Sequence, residues 1–165
     1  MAELTLDLVN KLFRYDKETG DLIRKVSVRK GSETVQIVGS DDGQGYLKTS
    51  IKGDKYFNHR IIFFMHHGFL PPCLDHIDTN KSNNRIENLR PATLSQNQHN
   101  AGIRKDNTSG VKGVTWHIGR NKWLGQVWYN GTNNYIGSYD SLSEATTAVH
   151  KAREQLHGEF VNHGV

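Results

Sequence analysis

The chain has 165 residues, of which 21 are Lys or Arg and 17 are Asp or Glu, and its formal net charge is +4. Its longest apolar run, Ile61 to Met65, is far shorter than the ~20 residues of a membrane-spanning helix, and no signal peptide is predicted at its start. A single cysteine, Cys73, excludes an intramolecular disulfide and a Cys-x-x-Cys zinc site. We therefore expect a soluble, cytoplasmic protein with no membrane partner and no structural zinc, in one domain or two small ones.

The first part of the chain alternates short apolar segments with turn-forming residues. A helix is predicted over 6–13, with Thr5 as its N-cap, and a second helix over 59–67, with Asn58 as its cap and Gly68 as its end. Short strands are predicted where apolar runs are bounded by Gly, Asp and Asn. These strands cover 22–28, 34–38, 46–51 and 55–57. The pattern favours an α+β fold.

The segment 73–102 has the predicted order strand, loop, strand, helix. Residues 78–88 are dense in turn formers and are therefore predicted to be a loop. Thr93 and Gln96 have the spacing of a capping box, which predicts a helix from this point to about residue 102. Polar side chains on separate elements can thus converge here.

A different pattern follows a polar stretch, in which we predict a linker at 104–109. Three strands of an antiparallel sheet are predicted next, followed by a helix over 142–157 that begins at a capping box of Ser141 and Glu144. The strands cover 112–118, 122–129 and 133–139. The chain is thus predicted to form two domains, 1–103 and 110–162.

The positive charge is unevenly distributed. Residues 1–105 carry 16 basic and 12 acidic side chains, whereas residues 106–165 carry five of each. Within the second part, the segment 109–137 contains three basic residues and no acidic one. A basic face indicates a polyanionic partner such as nucleic acid, although a net charge this small, taken alone, is more typical of an ordinary protein surface.

Three side chains in the strand-loop-strand-helix segment carry the chemistry. Asp75 and His76 end the first strand, and Asn97 lies on the helix. Carboxylate and amide oxygens suit a hard cation such as Mg²⁺, and an imidazole that titrates near neutrality can deprotonate a water molecule. Neighbours on a strand point to opposite faces, so the strand must twist or end at His76 if both residues serve one site.

The same segment resembles the HNH endonucleases. Asn88 follows His76 by twelve residues and Asn97 follows it by 21, which is similar to the Asp-His…Asn…Asn variant of phage homing endonucleases. The preceding His59-Arg60-Ile61 is similar to the lead-in of that group. The resemblance covers residues 1–103 and implies a ββα-metal nuclease fold.

Roles follow from this resemblance residue by residue. It implies that His76 is the general base and that Asp75 and Asn97 hold one divalent metal ion, Mg²⁺ or alternatively Mn²⁺. Asn88, grouped with His76 as a catalytic residue, is expected to hold the loop so that His76 faces the phosphate. His99 replaces Asn97 as the ligand if the helix has a different register.

Basic and aromatic residues interleave on the three later strands. By alternation, Lys112, Val114 and Trp116 are expected to share one face of a strand, as are Lys122, Leu124 and Gln126 of the next strand. A small sheet of this kind can lie in the major groove of DNA.

This part of the chain resembles the AP2 DNA-binding domain over residues 108–162. The resemblance rests on Val111-Lys112-Gly113-Val114, on Tyr135-Ile136-Gly137-Ser138-Tyr139 and on Glu144-Ala145. It implies a three-stranded antiparallel sheet packed on one helix. The pattern and the resemblance together predict DNA contacts at Lys112, Val114, Thr115, Trp116, His117, Arg120, Lys122, Gln126, Trp128 and Tyr135.

The leading hypothesis is a site-directed, metal-dependent DNA endonuclease whose first domain cuts double-stranded DNA while the second grips the target. A phage origin, inferred from the resemblance, would place it in the host cytoplasm. The alternative is a transcription-factor-like DNA-binding protein with an inactive nuclease domain. A third hypothesis, a nuclease that is RNA-directed or nonspecific, is disfavoured by the dedicated sheet domain. The sequence leaves open the recognition site, the oligomeric state and whether one or both strands are cut.

Overall fold

The computed structural model describes residues 4–25 and 36–164. It divides into two compact units, Met1–Pro91 and Ala92–Val165. The ends of the two predicted strands that fall within residues 26–35 lie outside the described residues. Within the described part of the chain, no helix is long and apolar enough to cross a membrane.

The first unit combines two helices with short strands, as the turn-rich sequence predicts. Its helices are α1 (Leu6–Leu12) and α2 (Asn58–His67). Three strands, β1 (Phe13–Tyr15), β2 (Leu22–Arg24) and β3 (Gln36–Ile37), form one antiparallel sheet. A second antiparallel sheet contains β4 (Ser40–Asp41), β5 (Leu47–Ile51) and β6 (Asp54–Phe57). A third sheet pairs β7 (Cys73–His76) with β8 (Leu89–Ala92), which runs into the second unit.

The apolar faces of α1 and α2 close the core of this unit. Val9 and Phe13 pack with Ile61, Ile62 and Phe63 of α2, all of them almost fully buried. Burial of side chains of this size stabilises a fold by about 1.5–3 kcal/mol each. The core therefore fixes α2 next to the strands that lead into β7.

Both ends of α2 show how local signals compete with tertiary contacts. Gly68 adopts a left-handed conformation and ends the helix, as predicted. The prediction that Asn58 caps the helix is wrong, because Asn58 lies inside its first turn and Phe57 takes the cap position. The buried Asn58 amide instead accepts from Thr49 Oγ1 at 2.6 Å and donates to the Val38 carbonyl at 2.7 Å.

The second unit begins with α3 (Leu94–Asn100), which starts at the predicted capping box of Thr93 and Gln96. Its sheet contains β9 (Val114–His117), β10 (Lys122–Tyr129) and β11 (Thr132–Tyr139), in the order β11-β10-β9, with antiparallel pairing. The helix α4 (Leu142–His157) starts at the predicted capping box of Ser141 and Glu144 and packs on all three strands.

Close approach between α4 and β10 depends on a glycine. A Cβ atom on Gly125 would lie 2.8 Å from Val149 Cγ2, a separation that side chains do not tolerate. Val149 packs with Val114, Val127 and Ala145 in the buried core of this unit. The sheet and helix therefore form a core of their own, separate from that of the first unit.

The first compact unit ends before the predicted first domain does. The prediction assigned the helix over about 93–102 to a domain of residues 1–103, whereas α3 belongs to the compact unit that contains the three-stranded sheet. The reason is that α3 contacts the turn at Gly158–Phe160 and that its C-terminal carbonyls accept hydrogen bonds from Lys112. The domain boundaries, as limits of independent folding, stay a prediction.

Candidate active site

Strand β7 places Asp75 and His76 in the interior, where only 3% and 5% of their surfaces are exposed. Asp75 Oδ2 accepts a hydrogen bond from Arg90 Nε at 2.8 Å and forms an ion pair with its terminal nitrogen at 2.8 Å. His76 Nε2 instead lies 3.2 Å from Asn84 Oδ1. The two side chains thus have different neighbours, as alternation along a strand requires.

The environment of His76 favours a neutral imidazole. Burial lowers its pKa and Lys81 lowers it further, whereas Asn84, Asp78 and Asp75 raise the pKa without offsetting the burial. A neutral ring at neutral pH can accept a proton, which a general base must do. The lowered pKa thus favours a neutral ring, and the role of His76 as a general base stays a prediction.

Sequence reasoning did not single out Asn84, the hydrogen-bond partner of His76. Asn84 is buried and lies in the loop between β7 and β8. The Asn84 amide can hydrogen-bond to His76 Nε2 whether or not that nitrogen carries a proton. The amide oxygen accepts from an N–H, and the NH₂ group, after a flip of the amide, donates to a lone pair. One asparagine among several in a polar loop gives no sequence signal for this contact.

A second histidine packs against His76. The rings of His59 and His76 lie edge to face, with centroids 5.0 Å apart. Burial, followed by the effects of His76 and Arg60, lowers the pKa of His59 to about 3. His59 is therefore an uncharged ring packed against His76 and adds no positive charge next to it.

The loop between β7 and β8 is held by Asn88. The Asn88 side chain accepts from the Asp78 N–H at 3.0 Å and donates to Asp78 Oδ1 at 2.9 Å and to the Asn83 carbonyl at 2.8 Å. Burial raises the pKa of Asp78, but hydrogen bonds from Asn83, Asn88 and the Asn80 N–H outweigh it and keep this pKa below its usual value. Three bonds from one amide thus join the beginning and the end of the loop.

The hairpin of β1 and β2 makes hydrogen bonds to the same loop. Tyr15 Oη accepts from the Ile86 N–H at 2.9 Å, and Arg85 donates to the Glu18 carbonyl at 2.6 Å. Gly20 has a φ of +82°, and a Cβ there would lie 2.7 Å from Arg85 N. Sequence far from the motif therefore shapes the loop that carries Asn84 and Asn88.

The predicted metal ligand Asn97 and its alternative His99 both lie on α3, in the second unit. Asn97 is half-buried. The ring of His99 stacks on that of His157, with centroids 3.9 Å apart and planes 3° apart. His99 Nε2 lies 3.3 Å from Ser95 Oγ. The His99 ring therefore has packing partners within its own unit.

The predicted ligands are oxygen donors, which suits a hard cation. One carboxylate and one amide leave the remaining coordination positions to water and to substrate phosphate, as is usual for Mg²⁺. Among the described residues, no group of three or more His, Cys, Asp and Glu side chains is arranged to hold a metal. Oxygen donors of this kind have the chemistry that a hard divalent cation prefers.

The sheet of the second unit has an open face and a face covered by α4. Paired strand positions place Gln126 opposite Tyr135 and Trp128 opposite Asn133, on the side away from α4. Trp128 and Tyr135 are 54% and 56% exposed. We call the side of the sheet away from α4 the open face. Of the predicted DNA contacts, it carries Thr115, His117, Lys122, Gln126, Trp128 and Tyr135.

The structure corrects the prediction for Val114. Val114 pairs with Gly125, on the face covered by α4, and is only 1% exposed. Trp116 lies on the same side, where its ring contacts Trp123 edge to face at 5.0 Å. The predicted alternation is present within β9 and β10, but Lys112 lies in the turn before β9 and not on the strand. Val114 and Gln126 belong to opposite faces of the sheet.

The remaining basic residues of the predicted DNA set differ in their partners. Lys122 forms an ion pair with Asp140, and Arg120 is exposed in a short turn after β9. Lys112 Nζ donates to the carbonyls of His99, at 2.8 Å, and of Ala101. Burial lowers the pKa of Lys112 to about 8. Lys112 thus caps the C-terminal end of α3.

A buried histidine next to a carboxylate at the end of a strand, followed by a loop that an asparagine holds, is the arrangement expected of an HNH nuclease. The HNH endonuclease family matches residues 56–99, which contain Asp75, His76, Asn88 and Asn97. The chain belongs to the HNH endonuclease family and is a DNA endonuclease by class.

Two viral proteins are similar to the chain. Protein 3.8 of Escherichia phage T7 is 39% identical over 87 residues, which are 53% of this chain and 71% of that protein. An uncharacterized HNH endonuclease, L560, of Acanthamoeba polyphaga mimivirus is 36% identical over 105 residues, which are 62% of this chain and 54% of that protein. The chain therefore spans only about half the length of the mimivirus relative. No solved structure matches the chain.

Proposed function

We propose that the protein is a site-directed endonuclease that hydrolyses double-stranded DNA with a divalent cation, most suitably Mg²⁺, in the manner of phage homing endonucleases. One observation carries this proposal: a buried, neutral His76 stands beside Asp75 at the end of β7, within the segment that matches the family. The N-terminal sheets and the braced loop support this arrangement.

In the proposed mechanism, the imidazole of His76 takes a proton from the attacking water molecule. The water oxygen then bonds to phosphorus, and the bond to the 3′ oxygen breaks. Asp75 and Asn97 would hold the cation, which supplies charge stabilisation for the phosphate and for the departing oxygen. Asn88 keeps the loop in place, and Arg90 orients the Asp75 carboxylate through their ion pair.

Cleavage by the purified protein is expected to require a divalent cation. A library of random-sequence plasmids should be cut in the presence of Mg²⁺ or Mn²⁺ and left intact with EDTA, because the predicted oxygen ligands favour hard cations. Sequencing of the cut ends gives the recognition site. If neither cation supports cutting of any DNA, the proposal fails; cutting of RNA in preference to DNA would favour the RNA-directed hypothesis.

We further propose that the second unit is an AP2-like domain that binds target DNA through its open face. Three strands packed on one helix support this idea, as do two exposed aromatic rings beside Gln126 on a surface that can enter the major groove. Thr115, His117 and Lys122 lie on this face, and Arg120 is exposed next to it. Val114 is not part of this proposal because its side chain is in the core.

Trp128→Ala and Tyr135→Ala should each weaken DNA binding by roughly 5–30-fold, since truncating an aromatic anchor in an interface typically costs about 1–2 kcal/mol. Fluorescence anisotropy with target DNA and EDTA, which prevents cutting, measures the dissociation constant. Ile118→Ala is the matched control, because Ile118 is a large, exposed apolar residue in the turn outside the strands. Equal affinities for all four proteins would contradict the proposed DNA-binding face.

A further inference from the structure

A cavity of about 230 Å³ lies within the second unit. It is surrounded by the C-terminal end of α3, the turn before β9, the second half of β10, the start of β11 and the last turns of α4. Its polar lining residues include Gln98, His99, Lys112, Gln126, Asn133, Arg153 and His157. Among the described residues that line it, two are cations and none is a carboxylate.

Arg153 is the unusual member of this lining. Its surface is only 2% exposed, and neither terminal guanidinium nitrogen has a hydrogen-bond partner within the described residues. Burial lowers the pKa of Arg153 to about 10, so the group is still charged at neutral pH. A buried, unpaired cation is costly for a folded protein unless an anion or an acceptor reaches it.

The neighbours of Arg153 also favour an anion. Lys112 adds a second positive charge, and its Nζ is kept near the cavity by the carbonyls of His99 and Ala101. The amides of Gln98, Gln126 and Asn133 can donate to oxygen atoms, and Asn133 Nδ2 already donates to Gln126 Oε1 at 2.7 Å. A planar guanidinium matches two oxygens of one phosphate group.

The size of the cavity limits the ligand. Pockets for drug-sized molecules begin at roughly 300 Å³, so this space suits one phosphate group with a few waters or part of a sugar. Gln126 and Trp128 line the cavity and also belong to the open face. Two sources can thus supply a phosphate group to this cavity: the backbone of bound DNA and free phosphate in solution.

We propose that this cavity is a phosphate-binding site in which the guanidinium of Arg153 is the principal ligand and Lys112 supplies a second positive charge. The existence of the site does not depend on nuclease activity. Only the assignment of the phosphate to the DNA backbone rests on the proposed function of the second unit.

The first arm of the test uses inorganic phosphate and the full chain. Phosphate should raise the melting temperature of the wild type by roughly 2–6 °C over sodium chloride of equal ionic strength. Arg153→Met should abolish this shift while melting at the same or a higher temperature in chloride, because an unpaired buried charge is removed. Lys151→Met removes an exposed charge from the same helix and should keep the shift. Arg153→Lys keeps a charge at this position but should bind phosphate several-fold more weakly.

The second arm identifies the source of the phosphate. If a target duplex displaces phosphate, followed by ³¹P NMR, and Arg153→Met reduces the slope of log K against log salt by about one, the ligand is a backbone phosphate. If the duplex leaves phosphate bound, the site takes free phosphate. The proposed site is wrong if phosphate does not raise the melting temperature of the wild type, or if it raises that of Arg153→Met by the same amount. A protein that binds phosphate but no DNA would overturn only the proposed DNA-binding function.

Discussion

Replacement of His76 by alanine is expected to slow DNA cleavage by roughly 10²–10⁴-fold, the usual contribution of a positioned general base. The imidazole is buried and neutral, so its removal deletes the group that accepts the proton of the attacking water. Binding of uncut DNA should stay within about twofold of the wild type if the base takes no part in ground-state binding. Single-turnover cleavage and anisotropy in EDTA measure the two quantities.

Two further variants separate chemistry from folding. His76→Gln keeps most of the buried volume and can still hydrogen-bond to Asn84, so it should fold normally and be as inactive as His76→Ala. His66→Ala removes an exposed histidine from the last turn of α2 and should leave cleavage unchanged. Wild-type cleavage by His76→Gln would show that another group activates the water.

Asn88→Ala should both destabilise the first unit and reduce cleavage. It removes three side-chain hydrogen bonds at a buried position, and we expect the free energy of unfolding to fall by about 2–4 kcal/mol. Displacement of the loop by about 1 Å can lower the cleavage rate by 10²-fold. Urea unfolding and single-turnover cleavage, measured on the same preparation, test both effects.

Asn80→Ala is the matched control for Asn88→Ala. Asn80 lies in the same loop but is exposed, and its side chain accepts two hydrogen bonds from Ser82. Its removal should cost less than about 1 kcal/mol and leave cleavage close to wild type. The bracing role of Asn88 is refuted if Asn88→Ala unfolds and cuts like Asn80→Ala.

Elements with local signals could be predicted from the sequence. Both capping boxes begin helices at the expected residues, since each box needs only side chains within one helical turn. The turn at Asn130-Gly131 has positive φ at both residues, which is the geometry that this pair favours between paired strands. Most of the order of strands and helices follows from such signals, but β1 and β4 were not predicted, and Phe13, predicted to end the first helix, begins β1.

Contacts between distant segments could not be predicted in this way. Asn58 has the sequence of a cap, yet its amide bridges Thr49 and Val38, which are remote in sequence. Alternation along β9 groups Val114 with Trp116, but only the pairing with β10 shows which face α4 covers. Arg153 gave no sequence signal, because one arginine in an amphipathic helix is usually exposed.

The candidate site shows the same division. Side-chain chemistry and the resemblance to the HNH endonucleases singled out Asp75, Asn88 and Asn97, which lie within the segment that matches the family. Asn84 and His59 define the surroundings of the base through contacts that depend on how the loop and α2 fold back on β7. The candidate residues thus follow from the motif, whereas the groups that contact His76 follow from the tertiary structure.

The assignment of α3 to the second compact unit has a consequence for recombination and for chimera design. The polar stretch 104–109 was predicted to be a linker, so its sequence suggests a place where two proteins can be recombined. A crossover there separates α3 from Lys112, which caps it, and from His157, on which His99 stacks. Exchange of the C-terminal module at that point would import a foreign partner for the helix that carries Asn97. Viable hybrids should therefore exchange the chain from Ala92 onward, together with α3, and inherit one of the candidate metal ligands from the incoming module.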